Sequence, residues 1–229
     1  MIDAVLFDLD DTLFEQRHWL AGAWAFVAEE AADRFGHDPL ALRRALEAVA
    51  AEGSGKGRII DRALLRIGAP GTPVGPLVDA FRAYRAEWVP AWPGAATALA
   101  QLREDVPVAL VTDGDPAIQR AKLTALGMTG SFDALVFSDE LGRSYRKPHP
   151  APFRLALERL GVDPGRVVHV GDRPDKDVAG AAAAGIRAVR VATGEYRAMP
   201  DMPHPWARAP HVTAAIALLR HGQAPLCPS

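Results

Sequence analysis

Along this chain, short unbroken apolar runs alternate with longer stretches whose apolar residues recur every three or four positions. Five runs read as buried strands: Ala4–Phe7, Val106–Val111, Ala134–Phe137, Val167–Val170 and Ala188–Val191. A run that is apolar at nearly every position suits a strand covered on both faces, as in a parallel sheet. The stretches between the later runs have helical spacing. Pro116–Leu126 carries Ile118, Ala121, Leu123 and Leu126, with Gly127 behind it as a C-terminal stop. Pro152–Leu160 repeats the design before Gly161, and the short, alanine-rich Asp177–Ala184 ends at Gly185. Strand and helix alternating in this way predict an α/β fold, a parallel sheet with helices on both faces.

Residues 15–92 break the alternation. They hold no convincing strand and read as four helices near 16–35, 39–52, 57–67 and 74–88, separated by Gly36-His37-Asp38-Pro39, Gly53–Gly57 and Gly68–Pro73. The stretch is too long for one crossover. It predicts a helical bundle inserted after the first strand, with residues 1–14 and 93–229 forming the α/β core. Trp19, Trp24, Phe26, Phe35, Phe81, Tyr84 and Trp88 concentrate there and are expected to fill its interior. Residues 195–210, rich in proline, read as an irregular surface segment, followed by a short strand and a helix in His211–Leu219.

Composition narrows the function classes. Of 229 residues, 49 % are hydrophobic and 24 % charged, as in ordinary soluble domains. A net charge of −2 points to neither nucleic acid nor an anionic membrane as partner. The single cysteine, Cys227, excludes an intrachain disulfide and a cysteine-based metal site. With no leader pattern and no long apolar span, a cytoplasmic enzyme is expected. Oligomeric state is not legible.

The chemistry sits at the ends of the apolar runs. Phe7 is followed by Asp8-Leu9-Asp10-Asp11-Thr12, three carboxylates and a hydroxyl. Carboxylates crowded at a strand end repel one another unless a cation or a proton relieves them, and in open α/β sheets ligands bind at that end. Val111 leads into Thr112-Asp113-Gly114-Asp115, where a hydroxyl and free backbone N–H groups before a helix make an anion cradle; the alternative is that Thr112 merely caps the helix. Ser144–Pro150 sets Lys147 between an arginine and a proline, and Gly171-Asp172 runs on to Asp177 at the mouth of a helix. Acid pair, hydroxyl, lysine and acid pair thus follow successive strands and can converge on one crevice.

This ordered set resembles the haloacid dehalogenase-like hydrolase superfamily, over nearly the whole chain. Its DxDx(T/V) motif matches Asp8-Leu9-Asp10-Asp11-Thr12, its strand-end Thr or Ser matches Thr112, its K-P-x-P lysine matches Lys147-Pro148-His149-Pro150, and its GDxxxxD matches Gly171-Asp172 through Asp177. The resemblance implies a Rossmann-like three-layer sandwich with a helical C1-type cap over residues 15–92. It implies that Asp8 attacks phosphorus and becomes an aspartyl-phosphate, that Asp10 serves as acid and then base, and that Thr112 and Lys147 hold phosphoryl oxygens with Leu9, Asp10 and Asp113 lining the same cradle. It implies Mg²⁺ held by Asp8, the backbone carbonyl of Asp10 and Asp172, with Asp177 as ligand or neighbour. Asp11 is left as a turn residue, and position 113 is Asp where many relatives carry Asn.

Asp10 selects within the superfamily. The dehalogenase branch lacks this second aspartate, because a halide leaves without a proton, and the phosphonatase branch uses a cap lysine instead; Lys56 is the only lysine in the cap stretch. The implied activity is a Mg²⁺-dependent phosphatase acting on a small phosphate monoester of sugar phosphate, phosphoglycolate or nucleotide type. The stretch Asp113–Leu126 is similar to that of relatives acting on N-acylneuraminate 9-phosphate or nucleotides. A dehalogenase or phosphotransferase on the same fold, and a non-catalytic binding protein, are the competing readings. The Gly53–Gly57 loop, Arg17, His18 and Arg58 are candidates for contact with substrate.

Overall fold

The computed structural model describes residues 2–221. All five apolar runs are strands, and they lie with a sixth in one parallel sheet. The strands are β1 (Ala4–Phe7), β2 (Val108–Thr112), β3 (Ala134–Phe137), β4 (Val167–Gly171), β5 (Arg187–Val191) and β6 (Ala207–Ala209). Their order across the sheet is β3-β2-β1-β4-β5-β6. Phe7 aligns with Leu110 of β2 and Val170 of β4, so these strands end at nearly the same level. The helices, in chain order, are α1 (Gln16–Phe35), α2 (Pro39–Ala50), α3 (Ile59–Arg66), α4 (Val74–Ala83), α5 (Ala95–Asp105), α6 (Pro116–Ala125), α7 (Ala151–Leu160), α8 (Ala179–Ala183) and α9 (Val212–Arg220).

Alternate residues of each strand face opposite sides of the sheet. Ala4, Leu6, Ala109, Val111, Val136 and Val167 point to one side, where Phe153, Ala156 and Leu157 of α7 and Ala181 of α8 close over them. Helices α5 and α9 pack on each other, and α9 against β5 and β6. Right-handed crossovers place connections that run toward β3 and those that run toward β6 on opposite faces, which makes the three layers.

The structure differs from the sequence pattern in two places. Helix α5 lies in a stretch that the apolar runs assign to no element, although its buried Ala95, Leu99 and Leu102 sit at helical spacing. The final strand is Ala207–Ala209 and not part of His211–Leu219; three residues in a buried-exposed-buried pattern are too short to register as an apolar run. His211 instead caps α9, its Nδ1 accepting the Ala214 N–H at 3.2 Å. Cys227 lies outside the described residues. Among the described residues no helix is long and apolar enough to cross a membrane.

Residues Arg17–Glu87 form a compact unit separate from the sheet unit. Within it, Trp24, Val27 and Ala31 of α1, Leu42, Leu46 and Val49 of α2, Ile60 and Leu64 of α3 and Leu77 of α4 make one apolar core. Trp19 meets Phe81 edge-on at 5.4 Å, and Trp24 stacks on the same ring at 4.8 Å. Asp38 caps α2 by accepting the Leu40 and Ala41 N–H groups, with Pro39 in the first turn. Not every aromatic is core: Phe26 is 43 % exposed, and Trp88 is 71 % exposed and belongs to the sheet unit. Helix α4 stops at Ala83, and the following chain is drawn to the sheet unit by Val89 N–H to Ala125 O and Trp92 N–H to Leu13 O.

Candidate active site

The strand order reverses between β1 and β4, the position where ligands settle in doubly wound sheets. Asp8 leaves β1 there with its N–H donating to Val170 O of β4 at 2.9 Å, and Asp172 follows β4 directly. Thr112 ends β2, and Lys147 enters from the loop after β3. Carboxylate oxygens of Asp8, Asp172 and Asp177 all lie within 4.8 Å of one another.

The Lys147 ammonium is buried among them. It donates to Asp8 Oδ1 at 2.5 Å, Asp177 Oδ1 at 2.7 Å and the Val111 carbonyl at 3.2 Å, which employs all three of its protons. Burial pulls this ammonium down, but the Asp177 and Asp8 carboxylates outweigh it and hold it above its ordinary value. Burial pushes Asp177 up, and Lys147 and His169 outweigh that, leaving Asp177 below the usual carboxylate range. Asp8 goes the other way. Burial, against the pull of Lys147 and with the push of Asp177, raises it to about 7. Asp172 is raised well above the carboxylate range by burial, then by Asp177 and Asp8. One ammonium is therefore shared among three buried carboxylates, and the shortfall of positive charge falls on Asp8 and Asp172.

That imbalance fits a cation. The Asp172 carboxylate, 2 % exposed, has no hydrogen-bond donor among the described residues. The donors are hard carboxylate oxygens, the set that small divalent cations take. Asp177 is less free: Oδ1 accepts from Lys147 and from His169 Nε2 at 3.0 Å, and Oδ2 accepts the Arg173 N–H at 3.0 Å. Burial lowers the His169 pKa, so the ring is neutral near pH 7 and its proton belongs on Nε2. Gly171 is required by this packing, since a Cβ there would sit 2.4 Å from Asp177 Cγ.

Asp10 stands apart from the cluster. Both of its oxygens accept from Lys122 Nζ, at 2.7 and 2.8 Å, and Oδ2 also accepts from Gln119 Nε2 at 2.9 Å. Gln119 Nε2 reaches Thr112 Oγ1 at 2.7 Å as well. Thr112 is not the cap of α6; Asp115 is, accepting the Ala117 N–H at 2.9 Å. Asp113 ties loops together: Oδ1 accepts from Ser138 Oγ at 2.8 Å and from the Lys147 N–H at 3.0 Å, and Oδ2 faces Lys176 Nζ at 3.1 Å. An Asn could supply the Oδ1 contacts; the pairing with Lys176 is what the acid adds. Leu9 is fully buried. Asp11 sits at φ 57°, a turn conformation, and its carboxylate accepts the Gln16 N–H at 3.0 Å. Thr12 Oγ1 approaches Asp8 Oδ2 at 3.5 Å.

The site holds residues the sequence reading had passed over: Gln119, Lys122, Ser138 and His169. Two had a signal. Gln119 and Lys122 fall on the stripe of α6 that Ile118 and Leu123 bury, where a polar residue is out of pattern. Arg190, completely buried, donates to the Asp172 carbonyl at 3.2 Å and to the carbonyls of Tyr196 and Met199, so the proline-rich segment is bound to the site's far side. In the helical unit, Arg17, His18, Lys56 and Arg58 are exposed, and Arg58 pairs with Asp61 at 3.1 Å.

A family model described as haloacid dehalogenase-like hydrolase matches residues 2–185. The chain is 36 % identical over 206 residues to a glyceraldehyde 3-phosphate phosphatase of Methanopyrus kandleri, covering 87 % of this chain and 88 % of that one. It is 34 % identical over 235 residues to a phosphoserine phosphatase of Thermus thermophilus, covering 86 % and 93 %. A solved 2-haloacid dehalogenase from Pseudomonas syringae superposes with a TM-score of 0.67 at 26 % identity, over 97 % of this chain and 100 % of that one.

Proposed function

This chain belongs to the haloacid dehalogenase-like hydrolases, and on that premise we propose that it is a Mg²⁺-dependent phosphatase acting on small phosphate monoesters. The observation that carries the reading is the separation of Asp8 from Asp10. Two carboxylates only two residues apart occupy different surroundings, Asp8 in the buried cluster with Lys147 and Asp10 against α6 with Lys122 and Gln119. Paired carboxylates in unlike environments are how one site obtains both a nucleophile and a proton carrier. The phosphatase names of both relatives support the same reading.

In this account an Asp8 oxygen forms a bond to phosphorus as the ester P–O bond breaks, and Asp10 delivers a proton to the leaving oxygen. A water oxygen then attacks the acyl-phosphate phosphorus, Asp10 takes its proton, and Asp8 is released with inorganic phosphate. Lys147 and Thr112 offset charge on the transferring group. Bound Mg²⁺, held by Asp8 and Asp172 with the Asp10 carbonyl, would neutralise phosphoryl and carboxylate charge. Asp177, whose oxygens accept from Lys147, His169 and the Arg173 N–H, would stand beside the ion as ligand or supporting neighbour. The helical unit is proposed to be the C1 cap that selects the leaving group, which is of sugar phosphate, phosphoglycolate or nucleotide type.

A dehalogenase reading draws on the solved neighbour, but a halide needs no proton and leaves Asp10 without work. The test is phosphate release from p-nitrophenyl phosphate with Mg²⁺ and with chelator, beside halide release from 2-chloropropionate. Phosphate release that requires Mg²⁺, with no halide release, supports the proposal; the reverse pattern overturns it. A panel of phosphorylated metabolites then ranks the leaving groups.

A further inference from the structure

Asp10 can pass a proton to a leaving oxygen only if its carboxyl group is held at one place. Its neighbours on the chain do not hold it; helix α6 does. Gln119 and Lys122, one turn apart, lie on the same face of that helix. Lys122 Nζ bridges both oxygens of Asp10 at 2.7 and 2.8 Å, and Gln119 Nε2 spans Asp10 Oδ2 at 2.9 Å and Thr112 Oγ1 at 2.7 Å. Lys122 is 3 % exposed and Gln119 2 %. A buried lysine is costly unless it is paired and hydrogen-bonded, and the Asp10 carboxylate meets that condition here.

We infer that Lys122, seconded by Gln119, is the positioning residue for Asp10: it fixes the carboxyl group in line with the leaving oxygen and ties that placement to Thr112 in the phosphoryl cradle. Lys122 is inferred to act on the reaction only through Asp10. The inference rests on Asp10 being the proton donor, and it deepens that reading by naming what makes the donor effective.

The consequence is selective. A p-nitrophenolate leaves phosphorus without a proton, whereas an alkoxide does not. The quantity to read is kcat/KM, which reports events up to the first irreversible step, here departure of the leaving group, and so excludes hydrolysis of the phosphoenzyme. In Lys122→Met, kcat/KM for an alkyl phosphate such as glycerol phosphate should fall about 10–100-fold, a fraction of the about 10²–10⁴-fold that a positioned acid supplies. For p-nitrophenyl phosphate, whose leaving group needs no proton, the fall should be distinctly smaller than for the alkyl phosphate, and a cooperative thermal unfolding transition separately shows that the variant is folded. Lys122→Arg, which keeps a cation able to bridge both oxygens, should recover most of the alkyl activity. Gln119→Leu, which leaves the ion pair in place, should show the same selectivity on a smaller scale.

Equal losses on both substrates in Lys122→Met and Gln119→Leu would make the two residues merely structural and overturn the inference, as would no loss on either. Asp10→Asn separates this from the underlying reading. A selective alkyl loss in Asp10→Asn but not in Lys122→Met overturns the role of Lys122 alone. No selective loss in Asp10→Asn overturns the role of Asp10 itself.

Discussion

Replacing Lys147 with Met should do more than slow the reaction; it should destabilise the metal-free protein and make it lean on a divalent cation. Lys147 is 5 % exposed and supplies the positive charge facing Asp8 at 2.5 Å and Asp177 at 2.7 Å. Methionine fills a similar volume, so cavity effects are small and the change isolates charge. Removing one partner of a buried ion pair costs about 3–5 kcal/mol, because the other partner stays behind without compensation. Here three carboxylates within 4.8 Å of one another are left behind. For chains of this size about 1 kcal/mol shifts Tm by about 2–4 °C, so the predicted fall is about 6–20 °C. Mg²⁺ at about 100 times its Kd returns about 2.7 kcal/mol, or about 5–11 °C. The assay is thermal unfolding of wild type and Lys147→Met at pH 7.5, each with chelator and with Mg²⁺. The gain on adding Mg²⁺ should be larger in the variant. A variant that melts within about 2 °C of wild type in chelator, or that gains nothing from Mg²⁺, would refute the charge balance drawn for this cluster.

Other outcomes follow from the same geometry. With folded values above the unfolded carboxyl range, Asp8 and Asp172 bind protons that the unfolded chain has released; the stability Asp8 lends the metal-free protein is therefore full at low pH and lost as pH rises toward about 7, and that of Asp172 is likewise lost as pH rises. Mg²⁺ needs those carboxylates ionised, so calorimetric titration at pH 6 in buffers of different ionisation enthalpy should show net proton release, and none would contradict the assignment. Asp139 has the opposite sign: the Arg146 hydrogen bonds, at 2.5 and 2.6 Å, hold it below its ordinary value, so it stabilises the protein above the unfolded value of about 3.9 and less as acid protonates it. Asp139→Asn should remove that contribution, lowering stability at neutral pH and flattening the acid limb of a stability-against-pH curve below about pH 4. Gly171→Ala puts a Cβ 2.4 Å from Asp177 Cγ, and overpacking of this kind costs about 1–3 kcal/mol, visible as a lower Tm together with loss of turnover.

The sheet was legible because its strands are apolar on both faces and need no partner to be recognised; Ala4–Phe7 and Ala134–Phe137 fall where the runs placed them. β6 escaped because Ala-Arg-Ala is half exposed and owes its extended form to pairing with β5, a long-range contact that no local pattern encodes. The acid, hydroxyl and lysine positions were legible because strand ends are where polar residues interrupt apolar runs. What lay hidden was how charge is apportioned among them. The spacing of Asp8 and Asp10 could not say that one would face Lys147 and the other Lys122, since both lysines come from distant segments. Nor could a solvated-looking helix residue reveal that Lys122 is buried, although its place on the stripe shared by Ile118 and Leu123 was the available clue.

The proposed mechanism requires phosphoryl transfer to pass through Asp8. The decisive experiment is turnover of a reactive phosphate monoester with Mg²⁺, quenched in acid and mapped by peptide mass spectrometry. The phosphoryl group should be found on Asp8 in the wild-type protein, and Asp8→Asn should neither trap it nor release phosphate. Phosphate release by Asp8→Asn near the wild-type rate, or a phosphoryl group mapped to any other residue, would contradict the account.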